Sequence, residues 1–121
     1  MDTSKYRFAH HKLDAFVVAR QMADRAKVIA DRVPRGYRKW SDQLLRAAGS
    51  TVGLIGEGAN RFTAGQKRHK FTEARGEAGE VAAWVEQLHG CGLVAEREAI
   101  EVLELADRAC ALLTGLIKRH S

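Results

Sequence analysis

Apolar and small residues recur at alternating steps of three and four along four separate segments of the chain. In the first two segments these positions are Ala15, Ala19, Met22, Ala26, Ile29 and Val33, then Leu44, Ala48, Thr51, Ile55 and Gly58. In the last two they are Phe71, Ala74, Ala78, Val81, Val85 and Leu88, then Ala99, Val102, Ala106, Ala109, Leu113 and Leu116. Such steps average about 3.5 residues, the spacing of helices packed at about 20° in a left-handed bundle. The pattern predicts an all-α chain of four helices.

Turn-forming residues separate the four segments. Pro-Arg-Gly at 34–36 ends the first helix and Gly-Cys-Gly at 90–92 ends the third. Ser41 is predicted to cap the start of the second helix, and Thr-Ala-Gly-Gln at 63–66 has the capping-box form that starts the third. Because the connections are short, neighbouring helices should be antiparallel. We therefore expect one domain over residues 1–121, an antiparallel up-down-up-down left-handed four-helix bundle, with residues 1–10 as a flexible basic tail.

We expect this bundle to be cytoplasmic and to have no membrane partner. No segment approaches the roughly 18 apolar residues of a membrane span, and the first residues lack the apolar stretch of a signal peptide. Cys91 and Cys110 form no Cys-x-x-Cys pair, so neither is expected to bind a metal. Cys110 should lie about 22 Å from the turn that holds Cys91, so no disulfide between them is expected.

Three glycines surround a lone glutamate in Gly-Leu-Ile-Gly-Glu-Gly at 53–58. A phosphate-binding glycine loop needs a preceding strand, and a P-loop also needs Gly-Lys-Ser/Thr. Here the preceding residues are helical and no such triplet follows. On a helical wheel Gly49, Gly53 and Gly56 share one strip, which predicts close approach of another backbone rather than nucleotide binding.

The second and third helices carry a dispersed pattern of residues that resembles a known family. The matching positions are Gln43, Arg46, Ala47, Ala48, Ser50, Ile55, Glu57, Gly58, Arg61, Ala74, Gly76, Glu80 and Gly92, with Thr63 as a conservative match. They are similar to the bacterial four-helix-bundle proteins encoded by intervening sequences of large-subunit ribosomal RNA genes. That family includes the accessory variability determinants of diversity-generating retroelements. Lys67 and Lys70 depart from it, since they occupy positions that are usually apolar.

This resemblance implies a cyclic homo-oligomer, typically a pentamer. For the retroelement members it also implies binding to nucleic acid and to a reverse transcriptase. Within the pattern, Gln43, Arg46, Glu57, Gly58 and Glu80 are interpreted as structural residues. Aligning the second and third helices about a turn near residue 61 predicts that Arg46 pairs with Glu77 or Glu80.

The residues offer little for catalysis, so an enzyme is not expected. Glu86 and His89 have the Glu-x-x-His spacing of di-iron bundles, but those sites need two such motifs, and only one is present. Ser50 and Thr51 lack a nearby base to activate them. We expect no metal and no cofactor.

Positive charge is concentrated in the first part of the chain. Residues 1–75 hold 16 Lys and Arg against 7 Asp and Glu, whereas residues 76–121 hold 4 against 8. In the predicted bundle three cationic regions converge on one end, which suits binding to RNA or DNA phosphates. The candidate nucleic-acid-binding residues are Lys67, Arg68, Lys70, Arg61, Lys12, Lys118 and Arg119. The expected function is an oligomeric scaffold whose basic end binds nucleic acid with low sequence specificity, as an RNA- or retroelement-associated accessory protein would. The alternative is an adaptor whose basic end meets an acidic protein.

Large apolar and aromatic residues off the core stripe predict further surfaces. Trp84, Leu103, Leu105 and Leu112 widen the apolar faces of the third and fourth helices, and they are the candidate subunit interface. Near the other end, Tyr37 and Trp40 lie among cations. They either plug the end of the core or stack on exposed bases.

Overall fold

The computed structural model describes all 121 residues, and it contains four α-helices and no strand. Helix α1 spans Asp14–Arg32, α2 Arg38–Asn60, α3 Ala64–Gly90 and α4 Glu96–Arg119. Two short 3-10 turns, Ala9–Lys12 and Arg35–Tyr37, precede α1 and α2. The all-α prediction of four helices is confirmed, and none of these helices is long and apolar enough to cross a membrane.

The predicted ends of α1 and α3 are confirmed. Helix α1 stops at Arg32, just before Pro34. Thr63 is the N-cap of α3, where its side chain accepts a hydrogen bond from the Gln66 amide at 3.1 Å. Gly92, in the connection to α4, has a φ of 76°, the left-handed conformation that glycine adopts most readily. Helix α4 begins with an acidic first turn at Glu96 and Glu98, which favours the positive end of the helix dipole.

The predicted N-cap at Ser41 is wrong. The N-cap of α2 is Tyr37, four residues before Ser41, because the 3-10 turn after Pro34 leads directly into the helix at Arg38. Ser41 therefore lies inside the first turn of α2 and is buried. Its hydroxyl donates to the Arg38 carbonyl at 3.0 Å, the back-bonding that a serine makes within a helix.

The periodic positions form the core. All of them are buried except Val33, which is partly exposed. One cluster of buried residues includes Met22, Leu44 and Leu88, and a second includes Ile55 and Phe71. Residues of all four helices contribute to each, which confirms the predicted core stripe.

Ion pairs show which residues of α2 lie beside which residues of α3. Arg46 bonds to both Glu77, at 3.2 Å, and Glu80, which confirms the predicted pairing between α2 and α3. Later in α2, Glu57 pairs with Lys70, earlier in α3, at 3.2 Å. Residues late in α2 thus meet residues early in α3. Both cysteines are free, as expected.

The glycine strip of α2 does not pack as predicted. A Cβ built on Gly49, Gly53 or Gly56 would meet no atom within 4 Å, so no other part of the chain approaches that strip. The close approach occurs at Gly58, where a Cβ would lie 2.8 Å from the ring of Phe71. Gly58 lies on the buried stripe, and the Phe71 ring needs the space that a side chain would fill.

Candidate nucleic-acid interface

Hydrogen bonds bring four parts of the chain together at one end of the molecule. The Ala9 amide donates to Asn60 Oδ1 at 3.3 Å, which attaches the N-terminal segment to the end of α2. Lys67, in the first turns of α3, donates to the Ala59 carbonyl at 2.7 Å. Arg68 donates to the carbonyl of His120, beyond the end of α4, at 2.8 Å. We call the end formed by residues 1–14, 57–73 and 114–121 the basic end.

The basic end holds all of the net charge of the protein. It contains nine Lys and Arg against four Asp and Glu, whereas the rest of the chain contains eleven of each. The nine cations are Lys5, Arg7, Lys12, Arg61, Lys67, Arg68, Lys70, Lys118 and Arg119. The formal charge of +5 is therefore a property of one end rather than of the whole surface.

Three of the predicted binding residues have partners within the chain. The ammonium of Lys67 bonds to the last carbonyls of α2, and Arg68 bonds to the carbonyl that follows α4. Cations at these positions stabilise the negative ends of helix dipoles. Lys70 is only 24% exposed and pairs with Glu57 and with Glu73, the latter at 3.5 Å. These cations hold the end together as well as contributing charge.

Other predicted binding residues are free of acidic partners. Lys12, Lys118 and Arg119 are exposed and make no ion pair. Lys12 and Arg119 line the same groove between the start of α1 and the end of α4. Arg61 lies between these two groups of residues: it has an acidic neighbour, Glu57, at 3.8 Å, but its side chain is half exposed. The groove brings together the two termini, as the sequence predicted.

Two histidines of the basic end are held towards their neutral form. Burial lowers the pKa of His10, and the charge of His11 lowers it further. Asn60 donates to His10 Nδ1 at 2.9 Å, a bond that requires this nitrogen to be unprotonated. Burial also lowers the pKa of His120, helped by the charges of Lys67 and Arg119. The bonds of Ala9 and His10 to Asn60 attach the chain from Ala9 onward to α2. The flexibility of the preceding residues stays a prediction.

Exposed aromatic rings at the basic end were missed by the sequence reasoning. Phe62, in the turn between α2 and α3, is 98% exposed. Phe8 and Tyr6, in the N-terminal segment, are each at least half exposed. The signal was available, because Arg-Phe-Thr at 61–63 places an aromatic residue in a turn next to a cation.

The aromatic cluster near the other end belongs mostly to the core. The Tyr37 and Trp40 rings lie 5.5 Å apart, and Trp40 lies 6.4 Å from Trp84. Trp40 packs against the larger core cluster, whereas Tyr37 is exposed. The core-plug interpretation therefore describes Trp40 better than Tyr37.

The candidate interface residues are only partly exposed. Trp84, Leu103 and Leu105 pack against the larger core cluster, and Leu112 against a smaller one. Trp84 also donates to Glu80 at 3.4 Å. Their role between subunits stays a prediction, while Val17, Val28 and Ile100 are the more exposed aliphatic residues of the helices.

The family-pattern residues form a polar network between α2 and α3. Gln43 accepts a hydrogen bond from Arg46 at 3.2 Å, and Arg46 bonds onward to Glu80. The bond from Arg46 lowers the pKa of Glu80, and the same bond raises the pKa of Arg46. Together with Gly58 beneath Phe71, this network supports the structural interpretation of these residues.

Comparison with known proteins places the chain in a family. The model of the 23S rRNA-intervening sequence protein family matches residues 11–115. A solved structure of a protein of unknown function from the S23 ribosomal protein family of Bacteroides thetaiotaomicron is similar, with a TM-score of 0.78 and 20% identity. The likeness covers 86% of this chain and 98% of that one, and at such identity it concerns the fold alone. No curated protein matches. Since the family match spans most of the sequence, the chain belongs to the 23S rRNA-intervening sequence protein family.

Proposed function

We propose that this protein is a non-enzymatic scaffold whose basic end binds RNA or DNA with little sequence preference. The observation that carries the proposal is the location of the whole net charge at one end, where nine cations face four carboxylates. Lys and Arg bound to phosphates respond to charge rather than to base identity, so such a surface gives affinity without sequence reading.

Helix capping accounts for only part of this charge. Helices α2 and α4 both end at the basic end, and Lys67 and Arg68 bond to carbonyl groups there. A favourable dipole contact stabilises a helix by roughly 0.3–1 kcal/mol and acts only within the last turn. Lys12 precedes a helix start instead, so capping supplies no reason for it. The excess charge is better explained by an anionic ligand.

The proposal extends to assembly. The contacts between α2 and α3 support an antiparallel up-down-up-down bundle, and we propose that copies of it form a closed ring, a pentamer by family resemblance. A ring would repeat the basic end around its axis. Several modest patches would then contact one nucleic acid together, which raises affinity without new chemistry.

A salt titration tests the proposed function. Binding of the protein to single-stranded RNA, duplex DNA and polyglutamate is measured by fluorescence anisotropy from about 50 to 200 mM salt. We expect binding to nucleic acid that weakens steeply, with a logarithmic slope of about 0.9 for each duplex phosphate contacted. Binding to polyglutamate alone would favour the adaptor for an acidic protein. Absence of nucleic-acid binding at the lowest salt would overturn the proposal.

A further inference from the structure

Phe62 is the most exposed aromatic side chain of the protein. Its ring is 98% exposed at the tip of the turn between α2 and α3. A hydrophobic ring exposed to water does not contribute the stabilisation that burial would give. A polar residue would suit a turn of this length equally well. Phe62 belongs to none of the core clusters. Its chemistry is therefore available to a ligand.

A second aromatic group lies on the same end. The Phe8 ring stacks on His10 at 5.5 Å, and His10 is bonded to Asn60, two residues before Phe62. The Ala9–Asn60 hydrogen bond ties the backbones of the two aromatic segments together. Tyr6, two residues before Phe8 in the N-terminal segment, is also exposed. Three of the four exposed aromatic residues thus occur at the basic end.

Aromatic rings among cations fit one form of nucleic acid. A duplex buries the faces of its bases in the stack, so it offers Phe62 the backbone and base edges but no base face. A single strand offers its bases, and stacking on an aromatic ring combines with phosphate contacts to cations. We propose that the basic end binds single-stranded RNA or DNA, with Phe62 stacking on an unpaired base beside Arg61. This inference rests on the proposed function and specifies its ligand.

Charge argues against the basic end of a second copy as the occupant of Phe62. Contact between two basic ends would bring two surfaces with an excess of five positive charges together. A nucleic acid brings the opposite charge with its aromatic bases. The Phe62 side chain therefore suits a polyanion better than the basic end of another copy.

The test compares single-stranded and duplex ligands of equal length at the same salt concentration. Phe62→Ala should weaken single-strand binding about 5-fold or more, as loss of one base stack does, and change duplex binding less than about 2-fold. Phe62→Trp should retain single-strand affinity. Val28→Ala, which shortens an exposed aliphatic side chain of α1, is the matched control and should bind as the wild type does. Circular dichroism and mass in solution should be unchanged in all variants.

The outcomes separate this inference from the proposed function. If the wild type binds neither ligand, the proposed function and this inference both fail. If the wild type binds but Phe62→Ala binds the single strand equally well, only this inference fails. Equal losses of affinity on both ligands would overturn base stacking. A change in mass for Phe62→Ala would make another copy of the chain the occupant, and that too would overturn it.

Discussion

The two ends of the molecule hold their cations in different ways. At the end opposite the basic end, two cations bond to carboxylates: Arg32 bonds to Glu98 at 2.8 Å, and Lys27 to Asp31 at 2.6 Å. At the basic end, Lys70 also pairs with carboxylates, but Lys67 and Arg68 bond to backbone carbonyls. A carboxylate neutralises its partner, whereas a carbonyl orients a cation and leaves its charge in place. Hydrogen bonds from cations to carbonyl groups therefore let a protein order its cations while it keeps their positive charge.

The comparison also divides the cations of the basic end into two groups. Lys67 and Arg68 close the ends of α2 and α4, so their loss affects folding as well as charge. Lys12, Lys118 and Arg119 make no such bond to the ends of other helices. A mutation that removes Lys67 or Arg68 would mix two effects, and the second group is the cleaner probe of ligand binding.

The largest expected effect tests the packing beneath the basic end. Gly58→Ala would place a Cβ 2.8 Å from the buried Phe71 ring and 3.1 Å from Lys70 Cβ. We expect the free energy of unfolding to fall by about 1–3 kcal/mol through overpacking, measured by urea denaturation. Gly53→Ala, on the open strip of the same helix, is the control and should stabilise by up to roughly 1 kcal/mol. Equal effects at the two positions would contradict the packing described here.

A smaller effect should separate the two groups of cations. Lys67→Ala removes the ammonium that bonds to the Ala59 carbonyl and should lower the free energy of unfolding by about 1 kcal/mol. Lys118→Ala removes the same charge from an exposed site and should change it by less than about 0.5 kcal/mol. Denaturation of both variants at two salt concentrations checks this. Indistinguishable stabilities would show that the carbonyl bonds of Lys67 contribute nothing.

The smallest effect is a dependence of stability on pH. Because the folded protein lowers the pKa of His10 and His120, the unfolded chain takes up protons first as the pH falls. The stabilisation is therefore present above the ordinary histidine pKa and is lost as the pH falls from about 7 towards 5. Thermal unfolding midpoints should decrease over that range, and less so for His10→Ala. His89→Ala, outside the basic end, should retain the wild-type dependence.

The sequence predicted the fold closely because periodicity reports burial. Steps of three and four identified the core, and matching α2 against α3 about their turn located the Arg46 pairs. The packing predicted for the glycine strip was wrong, because a helical wheel shows which residues share a face but not what lies opposite that face. The N-cap predicted at Ser41 was wrong, because the turn after Pro34 allows the helix to begin before the serine.

The site was less predictable than the fold. Topology gathered the cations correctly, but the sequence did not reveal that Lys67 and Arg68 would bond to carbonyls of other helices. Such bonds depend on where two helix ends meet in space. Phe62 was missed for a different reason: the periodic pattern does not extend into turns, and the local signal of an aromatic residue beside Arg61 was not used.

One measurement tests most directly whether the basic end is the binding surface. Two triple variants remove the same number of charges: Lys12, Lys118 and Arg119 to Ala at the basic end, and Arg35, Arg38 and Lys39 to Ala near the start of α2. Salt dependence of binding to single-stranded RNA is measured for both. We predict that the logarithmic salt slope of the basic-end variant is smaller by roughly 2 units, about 0.7 for each phosphate that is no longer neutralised, while that of the other variant changes by less than about 0.7. Equal changes in the two variants would contradict the account, because affinity would then follow net charge rather than its location.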